Sequence, residues 1–254
     1  MNRRHALLAF ASIPLLATPA RSEISQPFKV SLLAGGMSGD LLQAGILIEL
    51  EPEWKTYWRM PGDTGIPPQF DWAGSKNTNA IEVMFPVPSR FRDVSGESIG
   101  YHNKVLFPVS IKPQNADDTV QLQLNMFFAV CKEICIPAKA KADLLLNSST
   151  TNLQIEEWRQ RVPVNDGTSP VSAARIEMLK DQPMLALSLT REVEDIFVES
   201  ETSAYFGKPQ FDIVSSEAWL PIWNTKDTTK LRNVPLKLTL SIGKSGIEQT
   251  LVVN

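Results

Sequence analysis

The 254-residue sequence carries 25 Lys and Arg against 28 Asp and Glu, a formal net charge of −3, with 43% hydrophobic and 21% charged residues. That length suits one large or two modest domains with buried cores, and the missing basic excess argues against nucleic-acid partners and anionic membrane surfaces. With only two His and two Cys, multi-His metal centres and four-thiolate zinc sites are excluded.

In chain order, residues 1–22 come first. Met-Asn-Arg-Arg-His, the apolar run Ala6 to Leu16 broken by Pro14, and the small-residue exit Ala17-Thr18-Pro19-Ala20-Arg21-Ser22 have the three-part pattern of a secretory signal peptide. The run falls short of the ~20 residues that span a bilayer, so cleavage after Ala20 or Ser22 is expected. Arg3-Arg4 lacks the flanking residues of a twin-arginine signal, which leaves Sec export. Cleavage removes His5, so His102 is the remaining imidazole. No G-x-S-x-G supports a hydrolase triad built on it. Export implies an oxidising compartment, and because no other segment approaches a membrane span, no membrane insertion of the mature chain is expected.

From Phe28 onward the pattern is β. Strands are expected over Lys29–Leu33, Leu42–Leu50, Lys55–Met60, Ile81–Phe85, Val105–Lys112, Val120–Met126 and Ala138–Leu144; the last two alternate apolar and polar residues. The clusters Gly35–Gly39, Pro61–Gly65 and Ser95–Glu97 read as turns. The first lacks the Gly-Lys-Ser/Thr ending of a phosphate loop. Leu153, Ile155 and Trp158 predict a short helix stopped by Pro163, followed by a linker at 165–170. A second β block is expected over Ala174–Leu179, Met184–Thr190, Ile196–Glu199, Phe211–Val214, Pro235–Ile242 and Ile247–Val253, with a hairpin turn at Gly243–Gly246. The expectation is an all-β protein: signal peptide 1–22, a β-sandwich at 23–150, a helical linker at 151–170 and a second β-sandwich at 171–254.

Cys131-Lys132-Glu133-Ile134-Cys135 lies in the connection between two of these strands. Residues four apart in one turn come within the roughly 4.4–6.8 Å between Cα atoms that a disulfide tolerates. As a staple, a loop of about five residues contributes roughly 2 kcal/mol, against about 4.7 for a hundred-residue loop. Two adjacent thiols suit exchange better, since the second can resolve a mixed disulfide formed by the first. A partner-binding module with a structural bridge is the alternative. A third reading is Sco-like copper handling, in which His102 with Met60, Met84 and Met126 supplies the remaining donors. Pro137 and the alternating run after it oppose the helix that such a fold places there. Lys132 favours a thiolate nearby and Glu133 opposes it, so no strongly acidic thiol is expected.

The run Trp54-Lys-Thr-Tyr57-Trp58-Arg59-Met-Pro-Gly-Asp-Thr-Gly-Ile-Pro-Pro68, then Gly100-Tyr101 before Val105–Val109, then Cys131-Lys-Glu-Ile-Cys135-Ile-Pro137 resembles the N-terminal periplasmic domain of DsbD and ScsB-type thiol:disulfide interchange proteins over residues 28 to about 146. The resemblance implies an immunoglobulin-like sandwich that takes electrons from a membrane reductant and passes them to thioredoxin-fold periplasmic proteins, with no cofactor and no metal. It implies that Cys135 exchanges with the partner and Cys131 resolves. It further implies that the aromatics at Tyr57 and Trp58, and more weakly Tyr101, shield the pair. This sequence lacks the membrane-spanning region and thioredoxin-like domain of DsbD, so the membrane electron donor is expected to be a separate molecule.

Overall fold

The computed structural model describes residues 26–62, 65–93, 96–147, 151–225 and 227–253. The signal-peptide expectation therefore lies outside the described residues, as do Asp63, Thr64 and Ser95 of the turn clusters. The first half contains β1 (Phe28–Ser38), β2 (Leu41–Leu50), β3 (Lys55–Gly62), β4 (Gln69–Asp71), β5 (Thr78–Val83), β6 (Ser89–Asp93), β7 (Gly96–His102), β8 (Lys104–Pro113), β9 (Val120–Cys131) and β10 (Cys135–Leu146). One antiparallel sheet has the order β1-β2-β8-β5. The other has the order β10-β9-β3-β7-β6, with β4 pairing β9. Side chains from both close over Ile46, Ile48, Trp58, Val105, Phe107, Leu122 and Phe128, all fully buried. In β9 the burial of Val120, Leu122, Leu124, Met126 and Phe128 follows the period of two read from the sequence.

The helix α1 (Leu153–Arg159) begins at Asn152, whose side chain accepts from the Gln154 N–H, and buries Ile155 and Trp158 against the first core. Beyond it lie β11 (Val171–Leu179), β12 (Gln182–Leu189), β13 (Asp195–Ser200), β14 (Tyr205–Phe206), β15 (Gln210–Asp212), β16 (Glu217–Trp223), a 3-10 turn at Thr228–Leu231, β17 (Pro235–Ile242) and β18 (Ser245–Val252). These form the sheets β11-β12-β16-β14, with β15 on β16, and β13-β17-β18, around a core that includes Leu185, Leu187, Ile196, Leu220 and Leu238. The architecture is thus all-β with two immunoglobulin-like sandwiches.

Local departures from the expected pattern have physical causes. β1 runs through Gly35 to Ser38 on a bulge between Ala34 and Met37, so the glycine cluster is strand up to the turn at Gly39. Ile213 and Val214 belong to a turn and are 89% and 97% exposed, because β15 ends at Asp212, whose carboxylate accepts from the Val214 N–H. β16 lies outside the expected strands, and Pro221 stands within it. It is nevertheless an inner strand, and Ala218, Leu220 and Ile222 point inward.

Close backbone approach fixes β3 against β7. A Cβ on Gly100 would stand 2.0 Å from the Thr56 carbonyl oxygen, so only glycine fits beside this strand. Gly100→Ala is expected to cost about 2–3 kcal/mol through forced backbone displacement, read as a lowered urea midpoint at unchanged m-value. An unaltered midpoint would show that the two strands separate freely.

The two sandwiches meet along a charged seam. Arg90 donates to Asp195, to Glu97 and to the Ile196 carbonyl, and its guanidinium lies 4.9 Å from the Phe197 ring centre. The Tyr205 hydroxyl donates to Glu97 at 2.7 Å. Arg59 bridges Glu199 and Glu248, and Lys237 reaches Glu248 at 2.8 Å. Burial acts to raise the Glu248 carboxyl, but hydrogen bonds from Lys237 and Arg59 hold it below the usual carboxylate range. At Asp195 burial prevails over Arg90, and the carboxyl is raised.

Candidate functional site

β9 and β10 form a hairpin paired without a break from Val120↔Leu146 to Cys131↔Cys135. The two cysteines are thus the last cross-strand pair before the turn Lys132-Glu133-Ile134. Directly opposite residues on antiparallel strands approach to about 4.5–5.5 Å. Here the Cα atoms are 4.2 Å apart, and the sulfurs are joined as a disulfide. Pro137 can follow so closely because β10 is the sheet's edge strand, where one missing N–H matters little.

The sulfurs are not equivalent. Cys131 ends β9 within the sheet and is 1% exposed, whereas Cys135 opens β10 and is exposed. Ile134 and Ile136 flank Cys135 at 76% and 42% exposure, forming an apolar rim on the solvent side. On the inner side β3 lies beside β9, with Lys55 opposite Cys131 and Thr56 opposite Val130. The phase of that pairing decides which aromatic meets the sulfurs. Tyr57, two residues beyond Lys55, shares its face, and its hydroxyl lies 2.7 Å from Cys131 Sγ and 3.1 Å from Cys135 Sγ. A disulfide sulfur carries no hydrogen, so the Tyr57 O–H is the donor.

Trp58, on the opposite face, is buried in the first core, with its ring 5.6 Å from that of Phe197. Tyr101 also lies in the core, 5.5 Å from the Phe107 ring, and donates to the Pro86 carbonyl at 2.8 Å. Burial raises its phenol well above the ordinary value, which keeps it a hydroxyl donor. The structure therefore brings Tyr57 to the cysteines and places Trp58 and Tyr101 in the packing behind them.

Residues to which the sequence reading gave no contact with the sulfurs or with Tyr57 complete the site. Gly65 lies against the Tyr57 ring: a Cβ there would stand 2.5 Å from Tyr57 Cδ1 and 2.3 Å from Pro61 Cβ. Ile66 packs on the cluster of Tyr57, Ala129 and Cys131. The two glycines and three prolines between 61 and 68 are the available signal that this is a shaped loop, not a plain turn. Lys132 pairs with Glu53 at 2.5 Å, and their hydrogen bond raises the lysine pKa and lowers the glutamate's. Its charge is thus shared with a carboxylate, which limits its pull on either thiol.

For metal, the geometry offers little. Met126 is buried in the core, the Met84 sulfur accepts from Arg159, and the His102 ring packs 4.1 Å from Phe91. Among the described residues, no group of three or more His, Cys, Asp or Glu could hold an ion. A cavity of about 450 Å³ lined by Leu189, Arg191, Glu192, Phe211 and Glu217 lies in the second sandwich, away from the sulfurs. The disulfide lies at the turn end of the hairpin, where Cys135 alone of the two is open to another macromolecule.

Residues 23–147 match the family model described as thiol:disulfide interchange protein DsbD, N-terminal. Among solved structures, the N-terminal periplasmic domain of ScsB from Proteus mirabilis aligns with a TM-score of 0.68 at 20% identity, over 88% of this chain and 92% of its own. At that identity the likeness is one of fold, and it extends into the second sandwich. The periplasmic chaperone SfaE aligns over 89% of this chain and 99% of its own at 7% identity, with a TM-score of 0.25 that is too low to carry weight. No curated protein matches the chain significantly. No helix among the described residues is long and apolar enough to cross a membrane.

Proposed function

Because residues 23–147 belong to the family of DsbD N-terminal domains, we propose that this chain is a periplasmic thiol:disulfide exchange protein. In this reading it relays electrons from a separate membrane reductant to thioredoxin-fold partners through Cys131 and Cys135. The observation that carries the reading is the asymmetry of the pair: one exposed sulfur rimmed by isoleucines and one buried sulfur hydrogen-bonded by Tyr57.

The chemistry balances as two exchanges. A reductant thiolate attacks Cys135 Sγ, the bond to Cys131 breaks, and Cys131 departs as a thiolate that accepts from the Tyr57 O–H. The reductant's second thiol, losing its proton, then attacks its own sulfur in the mixed disulfide and frees Cys135, leaving the reductant oxidised and the pair reduced by two electrons. Toward an oxidised partner the steps reverse: the Cys135 thiolate opens the partner disulfide, and Cys131 resolves the mixed species. Export with cleavage of residues 1–22 places these steps in the periplasm. The second sandwich, joined along the charged seam, supports the first.

Cys131→Ser, expressed with the leader intact, is expected to accumulate a reducible covalent complex through Cys135 with a thioredoxin-fold protein. If no complex forms and the wild-type disulfide resists reduction by such proteins, the bridge is structural and the relay reading falls.

A further inference from the structure

β3 reaches the cysteines where its pairing with β9 runs out. Among the described residues the two strands pair at Lys55↔Cys131 and Thr56↔Val130, and β9 next pairs with β4, at Gln69↔Phe127. Tyr57 keeps a strand partner in β7, Gly100, but the last β9 pair precedes it by one residue. Its hydroxyl nevertheless stands 2.7 Å from Cys131 Sγ. Hydrogen bonds are short and directional, so the spacing of β3 and β9 at this junction decides whether the phenol meets the sulfur.

Several contacts hold β3 in place, and they act on different sides. Toward β7, a Cβ on Gly100 would stand 2.0 Å from the Thr56 carbonyl oxygen and 2.9 Å from Tyr57 Cα, and Lys55 Nζ donates to Ser98 Oγ at 2.9 Å. These fix β3 against β7 and leave its distance from β9 open. Toward β9, the Thr56 hydroxyl donates to the Ala129 carbonyl at 2.9 Å. Thr56 is 1% exposed, and a hydroxyl buried to that degree costs free energy unless it is bonded. A carbonyl oxygen has two lone pairs, so this bond can be added to the strand ladder without displacing any of it. The residues that it joins flank the contact with the sulfur. Thr56 directly precedes Tyr57, Ala129 lies two residues before Cys131 on the same face of β9, and Tyr57, Ala129 and Cys131 pack as one buried cluster.

We propose that Thr56 is a positioning residue for the cysteine pair: its hydroxyl, bonded to the Ala129 carbonyl, holds β3 to β9 at the spacing that keeps the Tyr57 hydroxyl on Cys131 Sγ. The proposal rests on the exchange reading above, and it gives this threonine a task beyond filling the sheet. Thr56 touches neither sulfur in this assignment and acts through Tyr57 alone.

The test follows reduction of the disulfide in the full mature chain by dithiothreitol, in stopped flow at fixed pH. Thr56→Val, which keeps the shape and removes the hydroxyl, is expected to slow reduction about fivefold, equivalent to about 1 kcal/mol. Thr56→Ser, which returns the hydroxyl, should recover most of the rate. In a Tyr57→Phe background the same Thr56→Val change should leave the rate where Tyr57→Phe alone puts it, because the group being positioned is gone. The urea midpoint should fall by a similar amount in both backgrounds, which separates the effect on the site from the effect on stability. If Thr56→Val does not fold, Thr56→Ala removes the same hydroxyl without a branched side chain, and the same pattern is expected. A rate that loss of the hydroxyl leaves unmoved overturns the proposal. So does a slowing of equal size with and without the Tyr57 hydroxyl, or one that Thr56→Ser does not relieve. Because dithiothreitol stands in for the protein reductant, these outcomes are independent of whether a mixed disulfide forms in the periplasm.

Discussion

Cys135→Ser should abolish disulfide exchange with protein partners, whereas Cys131→Ser should leave capture intact and remove release. The difference follows from position on the hairpin. Cys135 begins the edge strand and faces solvent between Ile134 and Ile136, while Cys131 ends an inner strand beneath Ile66 and is 1% exposed. An attacking sulfur reaches Cys131 only through local opening, and opening that costs about 4 kcal/mol slows attack about a thousandfold. The measurement is the rate of mixed-disulfide formation between each single-cysteine variant and a thioredoxin-fold protein carrying an activated disulfide. Equal rates for the two variants would remove the assignment of Cys135 as the exchanging thiol.

The second large effect is expected at Tyr57. When the disulfide opens by attack on Cys135, negative charge develops on Cys131 in a site with little water, where burial opposes the thiolate. The Tyr57 hydroxyl already points at that sulfur from 2.7 Å. It can therefore strengthen its hydrogen bond as charge develops, without reorganising. A hydrogen bond to a charged acceptor contributes about 1.5–3 kcal/mol, or roughly 10- to 100-fold in rate. Tyr57→Phe, which keeps the ring beneath Gly65 and Ile66, should slow reduction of the disulfide by a small dithiol by that factor in stopped-flow measurements. An unchanged rate would reduce Tyr57 to a packing residue.

How much of this could be read beforehand depended on whether each feature had a local signature. The hairpin was legible because period-two alternation runs up to the cysteines on one side and away from them on the other. The aromatic run on β3 was also legible, but its phase was not. Whether Tyr57 or Trp58 meets the sulfurs is decided by Lys55 standing opposite Cys131, a register between strands more than seventy residues apart. Gly65 and Ile66 show only as part of a cluster of Pro and Gly, which suggests a turn but not that they pack on Tyr57 and Cys131. The anchor of Arg59 spans 140 and 189 residues to Glu199 and Glu248, and an ion pair of that separation leaves no trace in composition or periodicity. In the second block the error ran the other way: Ile213 and Val214 suggested strand by type, yet the Asx turn at Asp212 ends it.

The unbroken ladder from Val120↔Leu146 to Cys131↔Cys135 has a consequence for the cycle as a whole. A cross-link restricts the unfolded chain more the longer the loop that it closes, and this loop is short; here the native loop ends are already held side by side by the strands. Opening the sulfur bond therefore frees almost no backbone, and closing it recruits almost none. In the exchange cycle proposed above, the same ladder would therefore carry both redox forms, and each turnover would spend little conformational order in either direction.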